Sequence, residues 1–165
     1  MEGLGEAPYK LINETAMRKE LYNAIKAKLN AEVPEVAHID LWNHNVEFIE
    51  QEEGWERPAV FVEFGSIVWE PNVGSGYRGK GQVRLHVVTD WTEGGQEAAW
   101  DLICKIRAVM ERVEGIGFHG LVLSETETNH NHEEILESIE SYRVRYVIEA
   151  SPNPSEGGEN SRMED

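Results

Sequence analysis

Bases are scarce in this chain: 15 lysines and arginines stand against 31 aspartates and glutamates, a net charge of −16. That balance argues against nonspecific binding to duplex nucleic acid or to an anionic membrane, since both demand a basic surface. Cysteine is nearly absent. The single Cys104 cannot close an intramolecular disulfide, and its place in an apolar helical segment predicts a buried small hydrophobe rather than a reactive thiol. No apolar run approaches the roughly 18 residues of a membrane span, and the opening MEGLGEAPYK has neither a basic nor an apolar leader segment. The expectation is a soluble chain that folds in a cytoplasm.

A chain of 165 residues with 40% apolar content suffices for one domain with a real core. Its clearest stretch is 81–114. Val83, Leu85, Val87 and Thr89 alternate with Arg84, His86 and Val88, the period of a strand with one buried face. After Gly94-Gly95, the residues Ala99, Leu102, Ile103, Ile106, Met110 and Val113 draw one apolar stripe along a helix that Val113 and Glu114 finish before Gly115. Trp100 is expected to pack at that helix's edge.

The rest of the chain repeats these two periods. Residues 1–12 read as an N-terminal arm, held only if Tyr9, Leu11 or Ile12 finds a partner. Met17, Leu21, Ile25 and Leu29 predict a first amphipathic helix over 13–30. Val36 to Trp42 alternates and meets the turn residues Asn43-His44-Asn45, predicting a hairpin whose second arm is Val46 to Glu50. AVFVEFGSIVWE, from Ala59 to Glu70, is apolar on both faces and reads as an interior strand. PNVGSGYRGKG, 71–81, reads as a mobile loop between two long strands. Its GxGxxG match lacks the helix that a dinucleotide site requires. Strands are expected over Phe118 to Thr128 and Ile139 to Ala150, with the polar break NHNHEE between them. Residues 151–165 hold almost nothing to bury and read as a disordered acidic tail. Two helices are too few to cover both faces of a parallel sheet. The fold class is therefore α+β: an antiparallel, or mixed, β-sheet of about four to six strands with two α-helices packed on one face, in a single domain spanning 13–150. Strands that are apolar on both sides leave a second face to bury, and another copy of the chain is the simplest cover.

Catalytic patterns are thin. No serine sits in a nucleophile elbow, and Cys104 has no adjacent base. His130, His132 and Glu133 have ligand chemistry suited to a divalent metal, which keeps open a small metal- or ligand-binding enzyme built on the 130–134 loop beside the plainer reading of a solvated loop. Trp42, Trp55, Trp69 and Trp91 stand at strand ends or in loops, where large aromatics serve cores and interfaces alike.

The order of elements, PAVFVEFG through the glycine-rich excursion into GQVRLHVVTDWTEGG, then AAWDLICKIRAVMERV, then GLVLSETETNHNHEEILESIESYRVRYVI, resembles the tail-terminator and tail-completion, or head–tail joining, proteins of tailed bacteriophages. The resemblance runs from about Arg18 to Glu149 and is one of order, not of a signature. It implies a structural, non-enzymatic virion protein needing no cofactor. Such a protein assembles in the host bacterial cytoplasm into a homo-oligomeric ring, often a hexamer, where the tail tube ends and the neck joins. Its partners would be copies of itself, the tail tube and neck or connector proteins, with no membrane and no specific nucleic-acid binding. Subunit contacts would fall on the sheet edges and on the helix Glu97 to Val113. Tyr77, Arg78 and Lys80, with Trp69, Trp91 and Trp42, are the partner-facing candidates; an ordinary hairpin loop is the alternative for the first three. The acidic tail is a departure: in a lumen it would repel DNA, so it points outward or lubricates the channel.

Overall fold

The computed structural model describes residues 14–44, 54–91, 95–129 and 134–149. The arm, the tail, the hairpin arm Val46 to Glu50 and the residues His130, His132 and Glu133 lie outside them. Seven elements follow in order: α1 (Glu14–Glu32), β1 (His38–Leu41), β2 (Ala59–Pro71), β3 (Tyr77–Asp90), α2 (Gly95–Met110), β4 (Phe118–Asn129) and β5 (Ile135–Ile148). The strands form one five-stranded sheet in the order β1-β2-β3-β5-β4. β1 runs parallel to β2 and every other pairing is antiparallel, so the sheet is mixed. The partner of β1 is thus β2, with Ile39 opposite Val60.

Both helices pack on one face. Met17, Leu21, Ile25, Leu29 and Val33, spaced by four residues, are almost wholly buried along α1. Beneath them lie Val60 and Val62 of β2, Val83, Leu85 and Val87 of β3, and Tyr142, Val144 and Tyr146 of β5. α2 adds Ala99, Leu102, Ile103, Ile106, Val109 and Met110, the stripe expected from the sequence with Val109 joined to it. The helix ends at Met110 rather than at Val113, because the amides of Arg112 and Val113 turn back to the carbonyls of Val109 and Met110, at 3.0 and 3.2 Å, in tighter three-residue closures. Cys104 and Trp100 face away from the core. Trp100 is 55% exposed and Cys104 is exposed, which corrects the expectation of a buried Cys104: each stands one residue from a buried position, and about 100° of rotation carries it off the apolar stripe.

The stretch 71–81 is mostly strand. The β2–β3 ladder continues out to Pro71 opposite Tyr77, and only 72–76 form the turn, closed by the Asn72 amide donating to the Gly76 carbonyl at 3.0 Å. Gly74 and Gly76 take φ of 96° and 80°, a left-handed conformation that glycine adopts without steric cost. Gly79 and Gly81 serve differently. A Cβ on Gly79 would lie 2.7 Å from the Trp69 ring, and one on Gly81 would lie 2.7 Å from the Tyr146 ring, so two aromatic rings lie across the bare backbone. The glycines that read as flexibility are turn geometry and ring clearance.

A register shift between Phe64 and Ile67 changes which parity of β2 faces the helices. Two further shifts, between His119 and Val122 and between Leu123 and Glu125, do the same in β4. Leu121 joins the main core and Leu123, opposite Tyr142, keeps to the same side, although it is 37% exposed.

Candidate functional site

The face of the sheet turned away from the helices carries His86, Arg84, Gln82, Lys80 and Arg78 of β3 and, opposite them, Ile139, Ser141, Arg143, Arg145 and Val147 of β5. Its two ends differ in chemistry. At the end where β2 begins, Ala59, Phe61, Val88 and Ile135 are buried, with Trp42 and Trp55 packed over them. β3 is thus buried on both faces here, not on one. Its His86 is held from three directions: Nδ1 lies 2.7 Å from Glu137 Oε2, Nε2 lies 2.7 Å from Glu63 Oε1, and the Trp42 ring stacks on it at 3.8 Å and 1° between planes. Asn129 Nδ2 donates to the second oxygen of Glu137 at 2.9 Å. A neutral imidazole donates from one nitrogen only. Here one carboxylate oxygen faces each ring nitrogen. With both nitrogens engaged and one ring face covered, no ring atom is free to take a substrate proton or a metal. The trio clips the Trp42 segment onto the sheet.

The other end is basic. Lys80 pairs across the ladder with Arg145, Gln82 with Arg143, and Arg84 with Ser141. Arg78 is satisfied by Glu70, at 2.9 Å. Among the described residues, Lys80, Arg84, Arg143 and Arg145 enter no ion pair or side-chain hydrogen bond. Elsewhere several described cations meet acids: Arg57 with Asp90, Lys105 with Glu35, Arg107 with Glu140 and Arg112 with Glu32. In a chain with twice as many acids as bases, these four neighbouring cations give this end of the face its basic character, although Glu63 stands across the ladder from Arg84. Beside Lys80, Arg143 and Arg145 opens a hollow of about 510 Å³, bordered also by Val68, Gln82 and Val122. Val68 is 71% and Val122 52% exposed, so the hollow joins exposed valines to cationic side chains.

The residues singled out from the sequence divide between these settings. Lys80 belongs to the basic end, and Arg78 stands at its margin. Tyr77 is exposed at the start of β3, on the parity of the helix-covered face. Trp69 packs against the main core, 6.2 Å from Tyr146. Trp42 stacks on His86, and Trp91 lies half-exposed just past β3. The structure does not bring these six together. Arg84, Arg143 and Arg145 escaped the sequence reading because they are distributed over two strands 60 residues apart, and only the register joins them. The one available signal was the alternation Arg143, Arg145 against Tyr142, Val144, Tyr146. Among the described residues no cluster of three or more His, Cys, Asp or Glu is placed to hold a metal, and no helix is long and apolar enough to cross a membrane.

No family model matches this chain, and no curated protein does so at a significant level. Among solved structures, it is similar to a chain described as "Virion of native gene transfer agent (GTA) particle", with a TM-score of 0.55 and 14% identity, over 76% of this chain and 93% of that one. At that identity the likeness is one of fold.

Proposed function

We propose that this chain is a structural subunit of a phage-like virion, and specifically a tail-terminator or head–tail joining subunit. It forms a homo-oligomeric ring, most simply a hexamer, that ends the tail tube and joins it to neck or connector proteins. In this reading it assembles in the host bacterial cytoplasm, performs no catalysis and needs no cofactor. The observation that carries the proposal is the shared fold with a virion chain across 93% of that chain, and the element order of tail-terminator proteins, read independently from the sequence, agrees with it. Four neighbouring cations on one sheet face and an exposed Trp100 on the opposite helix suit a subunit made to be covered on two sides.

Deleting the coding sequence from the phage or prophage genome that carries it tests the role. Electron micrographs of the lysate should show heads and tails that fail to join, with tails of irregular length. A normal yield of complete, infectious particles would sink the proposal.

A further inference from the structure

We propose that the basic end of the open sheet face receives the outer face of α2 from a second copy of this chain, with Trp100 of that copy seated in the hollow between Val68 and Val122. The inference rests on the reading that the chain assembles with itself and names the surfaces that do so.

The solvent-facing stripe of α2 consists of Glu97, Trp100, Asp101, Cys104, Ala108 and Glu111, all exposed, at the i, i+3, i+4, i+7, i+11 and i+14 spacing of one helical face. Three of the six are acids, and among the described residues none of their carboxylates enters a close ion pair or a side-chain hydrogen bond, although the Asp101 charge acts on Lys105. Lys105, at the stripe's border, is occupied by Glu35. The stripe therefore presents fixed negative charge around one bare indole. The open sheet face presents the complement, with Lys80, Arg143 and Arg145 bordering a hollow of about 510 Å³ that Val68 and Val122 also line. An exposed aromatic ringed by charge, facing a recess bordered by apolar side chains and the opposite charge, is the arrangement by which interfaces anchor and orient.

The two surfaces lie on opposite sides of the sheet, since α2 packs on one face and Lys80, Arg84, Arg143 and Arg145 project from the other. A contact between different patches on opposite sides is heterologous. It cannot close as a two-fold dimer, so it leaves one free patch of each kind at the ends and propagates until it meets itself as a ring, or continues as a filament. A second copy is the partner that the page favours over a foreign acidic protein, because this chain carries both halves of the complementarity.

The test uses the full-length chain in sedimentation velocity, with charge reversed on each face in turn. Wild type should sediment as a species larger than a dimer. Arg143→Glu with Arg145→Glu should weaken self-association by about tenfold or more, and so should Glu97→Lys with Asp101→Lys. Trp100→Ala should do the same. Neither reversal variant pairs with itself, but each is complementary to the other on both faces, so a one-to-one mixture should recover the assembly, which misfolded variants could not do. Reversal variants that assemble like wild type, or a mixture that stays dissociated, would overturn this contact and leave the ring reading intact. A wild type that remains monomeric at high concentration would overturn the ring reading and the contact with it.

Discussion

Arg107 and Glu140 meet across 33 positions of sequence, and their setting shows what a charge costs inside this core. Glu140 is fully buried beneath α2, with one carboxylate oxygen taken by the Arg107 guanidinium, which also donates to Thr126 Oγ1 at 3.0 Å. Beside it, burial first and the Glu140 charge second push the Tyr142 hydroxyl well above the usual phenol range, which keeps that phenol neutral. Removing Arg107 leaves a buried carboxylate unpaired, a loss of about 3–5 kcal/mol. Removing both partners in favour of apolar side chains restores most of it, because no charge is then left without solvent. Arg107→Met should therefore lower the midpoint of urea unfolding strongly, and Arg107→Met with Glu140→Leu should recover most of the loss. A double variant no better than the single would contradict this account. The sequence could not reveal the pair, since Glu140 occupies a strand position that period-2 reading would give to an apolar residue.

Among elements, the junction of α1 with α2 adds surface charge pairs to a shared buried core. α1 has no base in its last turn. Instead Arg112, just beyond α2, bonds Glu32, and Lys105 bonds Glu35 just past α1. These hydrogen bonds hold both carboxyls below their ordinary value of 4.5. A carboxyl whose folded value is depressed contributes stability that is fully present above 4.5 and is lost as pH falls through the lower folded value. Both groups are exposed, so the effect is modest. Amide exchange at the end of α1 and over 111–113 should quicken as pH falls below the ordinary carboxyl value, once corrected for intrinsic rates. Arg112→Ala should show that faster exchange at Glu32 already at neutral pH. Unchanged protection in both would remove any role for the two bonds. The β2–β3 hairpin shows the complementary lesson, since Gly79 and Gly81 look like loop residues until the rings of Trp69 and Tyr146 occupy the space over them.

For the molecule as a whole, charge is distributed by face. The acids are spread widely enough to give −16 overall, while Lys80, Arg84, Arg143 and Arg145 gather at one end of the sheet face away from the helices. Cys104 becomes a reporter here, because it is the chain's sole cysteine and lies between Trp100 and Ala108 on the acidic stripe of α2. Its alkylation by a maleimide should slow as protein concentration rises and the stripe becomes covered, with the slowing absent in Arg143→Glu/Arg145→Glu. A rate independent of concentration in the assembled protein would show that the stripe faces solvent.

The two helices, their buried stripes and most strand segments were legible in the sequence because periodicity is local: a helix or strand must turn its apolar residues to one side whatever its neighbours do. Sheet order, the parallel pairing of β1, and the meeting of His86 with Glu63 and Glu137 were not legible. They depend on which strands lie side by side and on three register shifts, and a shift of one residue reverses every side chain beyond it. For the same reason only the tertiary structure gathered Lys80, Arg84, Arg143 and Arg145 into one surface. The sequence by itself determined that some strands are apolar on both sides; the folded sheet decided that the face away from the helices is apolar at one end, under Trp42 and Trp55, and basic at the other.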